Sequence, residues 1–186
     1  MRLLNTTTLK LHEFFGSEIP YYAILSHRWG ADEVTFQDLQ QGRGPTMAGW
    51  AKIVGCSSQA RKEGWEYAVS ILDSFQSEHI WQPRALADKW QWIDSCCIDK
   101  SSSAELSEAI NSMFQWYRNS QVCYAYLVDV PTEEEDHWGE GSSFRMSEWF
   151  TRGWTLQELL APDAVFFFNR GCEYWGRIPL LIPIAS

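Results

Sequence analysis

Basic residues are scarce in this chain. Its 186 residues carry 15 Lys and Arg against 24 Asp and Glu, a net charge of -9, and a surface of that sign argues against a partner gripped chiefly through a phosphate backbone. Nucleic acid is therefore not expected. Glycine signatures for phosphate are missing too: neither G-x-x-x-x-G-K-[ST] nor G-x-G-x-x-G occurs, and the run Gly42-Arg43-Gly44 is too short to cradle a triphosphate. No window approaches eighteen uninterrupted apolar residues, and the opening MRLLNTTTLKLHEFF lacks an apolar core of signal-peptide length, so neither a membrane span nor export is expected. The five cysteines, at 56, 96, 97, 123 and 172, are odd in number and have no C-x-x-C spacing. Adjacent Cys96 and Cys97 cannot readily bridge each other. A reduced, cytoplasmic protein with no metal centre is the expectation, and the sequon at Asn5 then carries no meaning. Internal repeats and low-complexity tracts are absent.

Aromatic residues, by contrast, abound. Eleven Trp and an aromatic fraction of 15% are more than a surface carries, so many rings belong to a core or line a pocket. The length suits one domain over 1–186, able to bury roughly two thirds of its unfolded surface. Tyr21 to Trp29, YYAILSHRW, is a short apolar run that ends abruptly in polar residues, as a buried strand opening into a loop would. SSQARKEGWEYAVSILDSFQ has helical spacing. Lys89 to Asp99 reads as a second strand. In SSSAELSEAINSMFQWYRNS a capping box, Ser102 with Glu105, starts a helix whose Leu106, Ala109, Ile110, Met113 and Tyr117 form one stripe. QVCYAYLVDV is a third strand, an acidic loop runs from Thr132 to Glu140, and AVFFFN is a fourth strand after Pro162. Strands alternating with helices predict an α/β fold with a mostly parallel sheet and helices on both faces.

In such a sheet the ligand crevice lies beyond the carboxyl ends of the strands. Those ends supply Ser26, His27, Arg28 and Trp29 from the first strand and Asp94 from the second. Arg28 suits a phosphate or carboxylate and Trp29 a flat ring, although a plain surface turn fits the same residues. Asp94 suits ribose hydroxyls, or caps a turn. A thiol nucleophile at Cys97 served by His27 needs neighbouring strand ends; small buried hydrophobes are the simpler reading of Cys96 and Cys97. Glu158, in RGWTLQELLAP, follows Trp154 by one helical turn and shares its face. A cap at Thr155 would leave barely one turn before Pro162, so the helix is expected to start near Ser147 or Thr151, with Glu158 inside it and partly buried.

YAILSHRWG, WIDSCCIDKSSSAELSEAINSMFQWYRNSQVCYAYL and FTRGWTLQELLAP together resemble the fungal heterokaryon-incompatibility (HET) domain, in order and over most of the chain. That resemblance implies a role in programmed cell death and fungal innate immunity, with the chain either a stand-alone or a truncated effector. More remotely the family is similar to Toll/interleukin-1 receptor (TIR) domains, whose flavodoxin-like fold and NAD+ cleavage are implied in turn. Their essential glutamate lies in a W-C-x-x-E-L helix, which WTLQEL matches at Trp154, Glu158 and Leu159, with Thr155 in place of the cysteine. The implied enzyme is an NAD+ glycohydrolase with Glu158 as catalytic carboxylate. Ser26, His27, Arg28, Trp29, Asp94 and Trp154 would bind NAD+, which is the substrate, with no separate cofactor. Homo-oligomerisation on activation is the expected control. A non-enzymatic, self-assembling module that recruits a death partner is the alternative.

Overall fold

The computed structural model describes residues 1–62, 90–133 and 139–178. Among these residues seven strands form one sheet: β1 (Arg2–Asn5), β2 (Leu11–Glu13), β3 (Tyr22–His27), β4 (Trp90–Ile93), β5 (Val122–Tyr126), β6 (Val165–Phe168) and β7 (Tyr174–Ile178). Their order is β2-β1-β4-β3-β5-β6-β7. The inner four are parallel, with Ile24 opposite both Trp92 and Cys123, and Tyr124 opposite Phe166. Antiparallel β1 and β7 flank them. The α/β class therefore holds.

β3 is buried at every position from Tyr22 to His27, and its first four residues, Tyr22 to Leu25, are apolar without alternation as a strand covered on both faces requires. The chain leaves β3 for β4 on one side and then returns for β5 on the other. This reversal opens a crevice at the carboxyl end of β3.

Helices fill the connections: α1 (Phe36–Gln40), α2 (Trp50–Lys62), α3 (Asp94–Cys97), α4 (Ser103–Asn119), α5 (Ser143–Met146) and α6 (Thr155–Leu160), with a 3-10 turn at Glu148–Thr151. A full capping box, Thr35 with Asp38, starts α1. At α4 only half of the expected box forms. The Ser102 hydroxyl accepts from the Glu105 amide, but the Glu105 carboxylate turns to Arg2 and to the Asp99 amide instead. An ion pair and a loop amide outcompete the local return bond.

Two further expectations are corrected, and one element is new. The second strand stops at Ile93, and Asp94–Cys97 is a helical turn whose Ser95, Cys96 and Cys97 are buried. An Asp in a helix's first turn suits the macrodipole there. The N-terminal hairpin, unforeseen, turns on Asn5, whose side-chain oxygen accepts the Thr7 and Thr8 amides at 3.0 and 2.9 Å. The Glu158 helix does not begin near Ser147 or Thr151, because a 3-10 turn intervenes and α6 is only six residues long. The helix read in SSQARKEGWEYAVSILDSFQ begins at Trp50, as α2, and beyond Lys62 lies outside the described residues, as does 134–138 of the acidic loop.

Candidate functional site

The chain between Ser147 and Glu158 is held as a hook. Asp129, just past β5, accepts the Ser147 hydroxyl and the Glu148 amide, both at 2.7 Å. Thr155 turns its hydroxyl back onto the Trp149 carbonyl at 2.6 Å, so it braces the hook and does not cap the helix. Trp149 is buried edge-on against Phe150 and Phe167, and its indole N–H donates to the Ser26 Oγ at 2.8 Å. Ser26 in turn donates to Glu158 Oε2 at 2.6 Å. Arg152 closes the arrangement with two bonds, Nη1 to Oε2 at 2.9 Å and Nη2 to Oε1 at 3.0 Å. Glu158 is 3% exposed, and a carboxylate so buried needs partners of this kind.

Glu158 nonetheless faces open space. It lines a cavity of about 500 Å³ with His27, Arg28, Trp29, Asp94, Lys100, Arg152 and Trp154, and the α4 stripe of Leu106, Ile110, Met113 and Tyr117 forms its apolar wall. That volume lies within the range of small-ligand sites. On one side His27 sits between two carboxylates, its Nε2 3.6 Å from Glu33 and its Nδ1 3.8 Å from Asp94. Burial pushes the Glu33 carboxyl up, but His27, Lys52 and the Gly30 amide outweigh it and hold it at about 2. Burial lowers Lys52, which Glu33 partly restores. Asp94 accepts the Trp29 indole N–H at 2.8 Å and lies 3.6 Å from Lys100 Nζ, which rests 3.1 Å from the Trp29 ring centroid. Burial lowers Lys100 despite Asp94. Tyr117 is pushed up, first by burial and then by the Glu158 charge.

Residues 22–138 match the family model described as "Heterokaryon incompatibility protein (HET)", well over half of the chain. The chain belongs to the HET family. Vegetative incompatibility protein HET-E-1 of Podospora anserina is 47% identical over 160 residues, 83% of this chain and 10% of that protein. The HET chain thus spans about a tenth of the length of the curated relative it matches. No solved structure matches it significantly. The family match takes in Ser26 to Trp29 and Asp94 and ends before Arg152 and Glu158.

Of the residues singled out in this HET sequence, His27, Arg28, Trp29, Asp94, Trp154 and Glu158 meet around one cavity. Ser26 lies beneath it, buried and bonded to Glu158. Arg28 is paired with Glu148 at the rim. Cys97 lines a different cavity, of about 350 Å³, near Arg2 and Glu105, and its Sγ accepts the Ile93 amide at 3.3 Å. The Cys97 side chain alongside, and then burial, raise the Cys96 thiol well above its ordinary value, and Cys96 is buried completely; both fit the reading as a small hydrophobe. Sequence reasoning missed Arg152, Lys100, Trp149, Glu33 and Lys52. No helix of the described residues is long and apolar enough to cross a membrane, and among them no group of three His, Cys, Asp or Glu is placed to hold a metal ion.

Proposed function

We propose that this HET chain is a fungal cell-death effector of heterokaryon incompatibility and innate immunity, acting in the cytoplasm by hydrolysing NAD+ at the nicotinamide-ribosyl bond. The observation that carries this reading is the Glu158 carboxylate, buried yet at the wall of a cavity beyond the carboxyl ends of a parallel sheet. The name of the Podospora relative supports the incompatibility role. The TIR resemblance of WTLQEL supports the reaction.

The chemistry suits these residues. A carboxylate offers about four acceptor positions. Ser26 and Arg152 take two on Oε2 and Arg152 one on Oε1, which leaves one for a ribose hydroxyl. The C–N bond breaks with its electron pair leaving on the ring nitrogen, so nicotinamide departs neutral and needs no general acid. Positive charge developing on the ribose is stabilised by the nearby carboxylate. Water then bonds to the ribose carbon and its proton passes to solvent. Trp154, 48% exposed, and Trp29, 44% exposed, offer ring faces. Assembly of several copies completes the site on activation.

The test is Glu158→Gln in the intact chain, with NAD+ loss and toxicity on overexpression both measured. Both should vanish while the far-ultraviolet spectrum is retained; unchanged NAD+ consumption by a folded variant removes Glu158 from the mechanism. Chromatography of the products distinguishes linear from cyclic ADP-ribose.

A second reading, a non-enzymatic module that self-assembles and recruits a death partner, is favoured by the pairing of Arg28 with Glu148 and of Glu158, in the first turn of α6, with Arg152. Death that proceeds with cellular NAD+ undiminished selects it.

A further inference from the structure

We infer that Arg28 is the phosphate-binding cation of the cavity and that Glu148 is its resident competitor, an internal anion that an incoming diphosphate displaces. This rests on reading the ligand as a nucleotide. Among the described residues three cations line the cavity, Arg28, Lys100 and Arg152, and each has a carboxylate partner in the structure. They differ in what it takes to release them. Taking Arg152 away would strand the buried Glu158 carboxylate, so that pair does not exchange. Lys100 is held twice, by Asp94 and by the Trp29 face. Arg28 and Glu148 have side chains 49% and 59% exposed, and an exposed pair contributes little net stability.

Both backbones are anchored, so the pair opens by side-chain rotation alone. Arg28 follows buried His27 at the end of β3. The Glu148 amide is tied to Asp129, and the next residue, Trp149, reaches back to Ser26 two positions before Arg28. A guanidinium freed of Glu148 presents a planar fork to phosphate oxygens, while Glu148 in place repels them.

Binding of inorganic pyrophosphate, measured by calorimetry on the wild-type chain, Glu148→Gln, Arg28→Gln and the double variant, tests this apart from any cleavage. Both side chains are exposed, and equal thermal midpoints confirm that the variants are folded. Glu148→Gln should tighten binding about twofold to fivefold at low salt, with the gain fading near about 0.5 M salt. Arg28→Gln should weaken binding and erase that gain in the double variant. Affinity unchanged or weaker in Glu148→Gln, a gain that survives without Arg28, or no pyrophosphate binding in any variant overturns the inference. A chain that shows the expected pattern yet leaves NAD+ intact upholds the anion seat and refutes the cleavage reading.

Discussion

Replacing Arg152 with Met leaves Glu158 buried with the Ser26 hydroxyl as its one remaining hydrogen bond of the three. Breaking a buried pair from one side costs about 3–5 kcal/mol when the surviving charge is uncompensated. The lower end applies here, because Ser26 still donates and the cavity admits water: about 3 kcal/mol. Glu158→Gln is the gentler cut. It keeps the shape and an oxygen for Ser26, and it leaves behind a guanidinium with 21% of its side chain exposed, so about 1–1.5 kcal/mol is expected. The double variant removes both charges and should cost less than the sum, by a coupling of about 1–2 kcal/mol. In urea, with an m-value of about 2 kcal/mol/M, the Arg152→Met midpoint falls by about 1.5 M and the Glu158→Gln midpoint by well under 1 M. Equal losses for the two single variants, or strict additivity in the double, would refute the asymmetry on which this reasoning depends.

Three other outcomes are expected. The Glu33 carboxyl is held below its ordinary 4.5, at about 2; its contribution to stability is complete above about pH 4.5 and is lost as pH falls toward 2. Urea midpoints followed between pH 6 and 2.5 should therefore drop steeply for the wild-type chain and more shallowly for Glu33→Gln; parallel curves would remove Glu33 from the acid limb. A Cβ added at Gly55 would lie 2.4 Å from the Cys172 Sγ, on a residue whose φ is 58°, so Gly55→Ala should cost about 1–3 kcal/mol and Cys172→Ala should restore part of it, read from thermal midpoints. If assembly completes the site, specific NAD+ consumption should rise with protein concentration, and neutralising Glu133, Glu134 and Glu135 should lower the concentration needed; activity per molecule that stays flat on dilution speaks against it.

What could be read in advance follows from how local the governing physics is. β3 was legible because a strand buried on both faces reads as an unbroken apolar run, here Tyr22 to Leu25, and α4 because its stripe is long enough for periodicity to show. Glu158 was legible as a buried carboxylate, but from a premise that failed, since its helix was expected to start upstream and begins only at Thr155, with Glu158 in its first turn. Its partner was not: Arg152 reaches Glu158 across the gap between a 3-10 turn and a short helix, a path with no repeat that a pattern could reveal. Lys100 was missed for a similar reason, since its seat on Trp29 is created by tertiary placement. The hairpin at the start escaped because a three-residue β2 is too short to alternate visibly, and Asp94–Cys97 misled because four residues are too few for periodicity to separate a buried helical turn from the end of a strand.

The pairing of β1 with β4, which sets Leu4 opposite Gln91, has a consequence for synthesis. β1 leaves the ribosome long before β4, the strand onto which it docks, and central β3 likewise waits for β4 and then for β5. Contacts this distant along the chain close slowly, because each must gather a long loop before any pairing rewards it. The N-terminal hairpin therefore emerges without its sheet, carrying Leu3 and Leu4, both fully buried in the finished fold. A nascent chain halted before β4 exposes them, and is the form most at risk of capture by chaperones or of aggregation.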